Sequence, residues 1–233
     1  VNAFDYRILL FLNHVADHSP IFTKIVVAVY NDELKSALVV ALLWWAWFDA
    51  GGTTPQHDRR ARIAAALHGS IFCIVAVRVL AAVLPFRVRP IANELVRLHF
   101  PIASGDWGHW SAFPSDNAVL FFFLTTCLLQ ISPVLGTVAL LDTILLICFP
   151  RVFLGVHHPT DILAGALLGV GAAYAVGRDP LRSLLAKPAQ WWMRAHQASF
   201  YAAAFLVTFL FAQVFWPATR ILMEGARLVA LGR

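Results

Sequence analysis

Long apolar runs separated by short polar connectors constrain this chain more than any other feature of it. The runs fall at about 34–48, 63–84, 118–131, 134–149, 162–176 and 199–216. A segment of that kind in a lipid bilayer has to satisfy every backbone N–H and C=O internally, and a lone segment can do so only as an α-helix. Composition points the same way. Of the 233 residues, 60% are hydrophobic and 13% charged, with a mean hydropathy of +0.71, whereas soluble domains carry roughly 25% charge. The sequence predicts an all-α fold, a polytopic membrane helix bundle of about six transmembrane helices, forming one domain over 1–233 because no stretch is left for a second core. Residues 3–16 and 20–30 mix apolar and polar positions and read as short interfacial helices, as does the tail after Pro217.

Charge orients the bundle. Counting spans places Arg59, Arg60, Arg62, Arg178, Arg182, Lys187 and Arg194 on one side, and the positive-inside rule makes that side cytoplasmic. The connector 85–114 and the stretch 151–161 then share the extracytoplasmic side. The expected setting is the bacterial inner (plasma) membrane, with membrane lipids as partners. The net charge of +5 comes from scattered positions rather than a Lys/Arg run, which favours anionic headgroups over nucleic acid. Trp44, Trp45, Trp47, Trp191 and Trp192 are expected at one interface and Trp107, Trp110 and Trp216 at the other. The apolar run after Tyr6 is broken by Asn13, His14 and Asp17, unlike a cleavable signal. Cys73, Cys127 and Cys148 lie in apolar runs without ligand spacing and read as small hydrophobes. Asp142, mid-span, reads as an intramembrane acid paired with a neighbouring polar group, with an ion path as the alternative. Oligomeric state is left open.

The stretch 151–161, RVFLGVHHPTD, gathers a guanidinium, two imidazoles, a glycine and a carboxylate between two apolar runs. A helix beginning near Pro159 puts Asp161 in its first turn and His157 just before it, so the carboxylate can orient the ring. That is a nucleophile with its orienter. Arg151 offers forked donors to phosphate oxygens, and Gly155 permits positive φ or close approach of a ligand. Two more stretches fall on the same membrane face. LPFRVRP, 84–90, brings Arg87 and Arg89; FPSDN, 113–117, opens a helix capped by Ser115, with free N–H groups and the dipole aimed at an anion. Together they read as a phosphoryl-transfer site, with arginines around the phosphate and His157 attacking in line. An arginine cage requires no metal, and neither a metal nor another cofactor is expected.

In this order the three stretches resemble the type 2 phosphatidic acid phosphatase (PAP2) family, whose pattern is KxxxxxxRP, PSGH and SRxxxGHxxxD. The likeness covers about residues 78–161 and implies a six-span helical fold and a phosphohistidine intermediate. Arg151, Gly155, His157 and Asp161 stand where the family has its phosphate-binding Arg, its Gly, its nucleophilic His and its orienting Asp. Val156 separates the Gly from the His, and Pro150 replaces the Ser. Arg89-Pro90 matches the first motif, but the Lys position is Ala82; Arg78 or Arg87 is the candidate replacement. The vanadate-dependent peroxidases share the phosphate cage, but a membrane bundle makes that reading remote.

Asn117 takes the place of the histidine that, in the family, protonates the leaving group. An amide has no proton to give near neutral pH. An alkyl phosphate expels an alkoxide whose conjugate acid has a pKa of about 16, close to water, whereas a diphosphate expels a phosphate with a second pKa of about 6 and needs no acid. The expected function is therefore a lipid (di)phosphate phosphatase acting on a polyprenyl diphosphate or similar lipid phosphate, with Asn117 contacting the leaving oxygen. The alternatives are a phosphotransferase to a second lipid or glycan acceptor, or a low-activity lipid-phosphate-binding or partner protein. His109 and His158 are candidate substitute acids.

Overall fold

The apolar runs do fold as helices, and the computed structural model describes residues 1–32, 34–49, 55–96, 98–102 and 110–212. In chain order the helices are α1 (Ala3–His18), α2 (Pro20–Asn31), α3 (Leu34–Phe48), α4 (Gln56–Val83), α5 (Asp116–Leu129), α6 (Pro133–Asp142), α7 (Phe149–Phe153), α8 (Pro159–Gly177), α9 (Asp179–Ala195) and α10 (Gln197–Ala212). A π-helical stretch, Thr143–Cys148, joins α6 to α7, and two 3-10 turns, Pro90–Ala92 and Glu94–Val96, follow α4. No strand occurs among the described residues, as the all-α expectation requires.

Among the described residues three segments are long and apolar enough to cross a bilayer: Gln56–Val83, Pro133–Phe153 and Pro159–Gly177. The other three expected spans fold as α3, α5 and α10, of 15, 14 and 16 residues. At 1.5 Å per residue their described residues reach about 21–24 Å, against a hydrocarbon core of roughly 30 Å, so helix length among the described residues supports three spans and does not establish six. α5 is short for a visible reason. It starts at the candidate site and runs through the centre of the bundle, with Leu120, Phe121, Phe123, Leu124 and Leu128 all fully buried.

α5 packs most closely against α8, and glycines make that possible. A Cβ on Gly169 would stand 2.4 Å from the Val119 carbonyl oxygen, and one on Gly165 would stand 2.7 Å from that of Ser115. The two glycines lie one turn apart, a small-xxx-small face that lets backbones approach. Gly169→Leu is expected to lower the thermal midpoint in detergent by about 10 °C or more, while Gly171→Leu, with nothing within 4 Å, leaves it unchanged. Equal midpoints in the two variants would remove the close approach as a source of stability.

Two helices lie outside the six apolar runs. α7 carries the helix of the fourth run on through Arg151 to Phe153. Pro150 explains the intervening π-helix: its ring clashes with a carbonyl four residues back in regular α geometry, and the chain widens just before it. The basic stretch 177–194 folds as α9, with Pro180 tolerated in its first turn and Pro188 inside it. α9 buries Ala186 and Ala189 against α4, and Arg182 pairs with Asp179 and, at 3.7 Å, with Asp58. This basic end is opposite the end where α4 stops and α8 starts.

Other expectations are met unevenly. Trp47 is buried among Phe200 and Tyr201 rather than lying at a surface, while Trp45, Trp191 and Trp192 are exposed. Cys127 and Cys148 are buried, Cys73 is half-buried, and all three are free. Asp142 is buried, yet neither carboxylate oxygen has a hydrogen-bond partner among the described residues, unlike the paired acid expected. Arg97, Trp107, His109, Trp216 and the tail after Pro217 lie outside the described residues.

Candidate active site

Everything in the site depends on how α8 begins. Pro159 occupies its first position, where a missing N–H costs nothing. Asp161, in the first turn as expected, accepts the His158 N–H through Oδ2 at 2.7 Å. The turn before α8 is pinned at both sides: Val156 and His157 donate their N–H groups to the Arg151 carbonyl, and Ile91 donates to that of Gly155. Gly155 has φ +71°, and a Cβ there would meet the Phe100 ring at 2.5 Å, so conformation and space both require glycine.

His157 is 3% exposed. Its Nδ1 lies 2.9 Å from the carbonyl oxygen of Ala112. A carbonyl can only accept, so Nδ1 carries the proton and Nε2 presents a lone pair. That lone pair faces Arg89 Nη1 at 3.2 Å and Ser115 Oγ at 3.5 Å. Asp161 Oδ2 stands 3.6 Å from Nδ1. The orienting hydrogen bond thus goes to Ala112, with the carboxylate behind it rather than in direct contact. Burial holds the imidazole below its ordinary pKa against the opposing pull of Asp161, which keeps the ring neutral.

Ser115 caps α5 as expected, its Oγ accepting from Ala118 N–H at 3.4 Å. Asp116 and Asn117, the next two residues, link two arginines. Arg78 Nη2 pairs with Asp116 Oδ2 at 2.6 Å, Asn117 Nδ2 donates to Asp116 Oδ1 at 3.0 Å, and Arg151 Nη2 donates to Asn117 Oδ1 at 2.5 Å. Arg151 also donates to the Ile147 carbonyl at 2.5 Å and lies over the Tyr30 ring. Arg78 lies 5.1 Å from the centre of the Trp110 ring.

A cavity of about 280 Å³ opens beside His157, with Arg78, Ala82, Arg89, Trp110 and Asp116 in its wall. The two candidates for the missing lysine part here. Arg78, one turn before Ala82 on α4, reaches the cavity; Arg87 does not. Its Nη1 donates to Asp161 Oδ1 at 2.5 Å and to Thr160 Oγ1 at 2.8 Å, and its Nη2 donates to Asp5 Oδ2 at 2.6 Å. Arg87, expected to bind phosphate, is occupied by carboxylates. Asn117, expected against the leaving oxygen, turns its amide to Arg151 and Asp116. His158 Nε2 lies 3.1 Å from the Val88 carbonyl.

Sequence reasoning missed the Ala112 carbonyl, Tyr30 and Asp5. Only Asp5 left a trace, as a carboxylate in the first turn of a helix of mixed apolar and polar residues. Among the described residues no group of three or more His, Cys, Asp or Glu side chains converges to hold a metal ion.

Chemically, the site offers a neutral imidazole nitrogen facing the Arg89 guanidinium and the N-cap of α5, with the Arg78 guanidinium in the wall of the same cavity, a set suited to covalent phosphoryl transfer. The family model described as the PAP2 superfamily matches residues 64–183. The chain is 26% identical over 159 residues to the Escherichia coli (strain K12) protein named "Putative undecaprenyl-diphosphatase YbjG", a match covering 68% of this chain and 74% of that one. It is 32% identical over 92 residues to the bacitracin transport permease protein BcrC of Bacillus licheniformis, 40% of each chain. No solved structure matches.

Proposed function

The chain belongs to the PAP2 superfamily, and from that membership we propose that it hydrolyses a polyprenyl diphosphate, or a closely similar lipid phosphate, through a phosphohistidine formed on His157. The observation that carries the proposal is the His157 ring itself, its proton committed to Ala112 and its Nε2 lone pair facing Arg89 and Ser115. In the first step Nε2 bonds to the terminal phosphorus and the bond to the bridging oxygen breaks, releasing the lipid monophosphate. In the second, water bonds to that phosphorus, the P–N bond breaks, and inorganic phosphate leaves. Arg89, in the cavity wall, stabilises charge on the equatorial oxygens, and Arg151, outside that wall in its contact with Asn117, adds positive potential to the site. Arg78, in the cavity wall, offsets the charge of the departing phosphate. Asp161 offsets the positive charge that the ring gains on phosphorylation, and no metal takes part in these steps.

Diphosphate rather than monoester is favoured by Asn117 and by the name of the Escherichia coli relative. Placement of the site on the extracytoplasmic face of a bacterial inner membrane is supported by the basic residues gathered at the opposite end of α4 and α8. Phosphate release from a polyprenyl diphosphate and from phosphatidic acid, measured side by side, is expected to differ in kcat/KM by about 100-fold or more in favour of the diphosphate. Equal rates on the two lipids, or no release from the diphosphate, would overturn the proposal.

A further inference from the structure

α8 lacks an N-cap of its own kind. The residue before Pro159 is His158, whereas Ser, Thr, Asp or Asn ordinarily supplies the oxygen that takes the first free N–H groups of a helix. That oxygen comes from elsewhere in the chain. Asp5 on α1 accepts the Thr160 N–H through Oδ1 at 2.9 Å and the Thr160 hydroxyl through Oδ2 at 2.7 Å. The same Oδ2 accepts from Arg87 at 2.6 Å, and Asn2 donates to it at 2.8 Å. The Asp5 side chain is fully buried. Burial alone would raise its pKa, but the hydrogen bonds from Thr160 and Arg87 outweigh burial and hold it below the ordinary carboxylate value. Arg87 is therefore shared between two carboxylates, Asp5 on one nitrogen and Asp161 on the other.

Resting on the phosphatase reading above, we propose that Asp5 is a positioning residue of the active site: it caps α8 from outside and holds Arg87, so that Asp161 and the His157 ring keep their attacking geometry. α1 thereby becomes part of the site although it lies outside the matched segment 64–183. Asp5 touches none of the cavity-lining arginines. Its loss acts on the nucleophile's alignment and leaves the phosphate cage in place. With Asp5 neutral, the Thr160 N–H loses its anionic acceptor and Arg87 swings toward Asp161 alone.

The test uses the full chain in detergent as four proteins: the parent, Asp5→Asn, Asp5→Glu and, as a control on the exposed face of the same helix, Phe11→Ala. Each is assayed for kcat and KM on a polyprenyl diphosphate, and for affinity toward orthovanadate and inorganic phosphate. Orthovanadate adopts the five-coordinate geometry only against an aligned nitrogen, whereas phosphate needs the arginines alone. Asp5→Asn is expected to lower kcat by about 30-fold or more with KM within about threefold, and to weaken orthovanadate about tenfold with phosphate unchanged. Asp5→Glu recovers part of the loss, and Phe11→Ala behaves as the parent. A kcat for Asp5→Asn within threefold of the parent, or equal weakening of both anions with a fallen thermal midpoint, would overturn the proposal. A parent that releases no phosphate, but loses selective orthovanadate binding in Asp5→Asn, upholds the role of Asp5 and rejects the substrate instead.

Discussion

Replacing His157 by alanine is expected to cut phosphate release from a polyprenyl diphosphate by about 1,000-fold or more, some 4 kcal/mol of transition-state stabilisation. Substrate affinity should stay within a few-fold of the parent. The expectation follows from where the ring's contacts go. Its Nδ1 proton is held by the backbone of Ala112, so no side chain is left unpaired when the ring is removed. Arg89 keeps its second acceptor, the Val156 carbonyl at 2.9 Å, and Arg151 keeps Asn117. The cage that binds the anion survives; the atom that attacks phosphorus does not. Steady-state kinetics with direct measurement of diphosphate affinity separates the two. Activity within tenfold of the parent would exclude His157 as nucleophile, and a parallel collapse of affinity would make it a structural residue.

Asn117→His should produce the second large change, and in the opposite direction: release from phosphatidic acid is expected to rise by about 100-fold or more, while release from the diphosphate moves less than tenfold. The physical reason is the leaving group. An imidazole at this position can donate a proton to an alkoxide with a conjugate-acid pKa of about 16, a service that a departing phosphate does not need. The position suits the purpose, one residue from Asp116 in the cavity wall and in hydrogen-bond contact with Arg151. A variant that leaves the monoester untouched would mean that Asn117 serves only to hold Arg151. The diphosphate preference would then lie in the cavity, with Arg78 the first residue to examine.

Much of this was legible along the chain. Apolar run length sets membrane character and helix content because a backbone in lipid has one local way to pair itself, so the all-α expectation needed no tertiary information. The three polar stretches 84–90, 113–117 and 151–161 named most of the residues that the fold gathers around the His157 ring, because the chemistry proposed for them resides in residue type. Span count was less legible. Hydropathy marks α3, α5 and α10 as apolar but cannot say that α5 is short because it begins at a buried site.

What the sequence by itself determined is the class of protein: a helical membrane protein with a histidine, a serine cap and arginines brought to one face, properties that composition and short-range spacing carry. The tertiary structure alone decided which arginine serves which purpose. Arg78 and Arg87 are equivalent as residue types, yet the rotation of α4 turns Arg78 to the cavity and the strand of chain beyond it turns Arg87 to Asp5 and Asp161. The same holds for the acceptor of the His157 proton and for the cap of α8, which join residues 45 and 155 positions apart. Such partners are set by how helices rotate and approach one another, through Gly165 and Gly169 above all, and a side chain's direction relative to a distant helix leaves no periodic mark in the sequence.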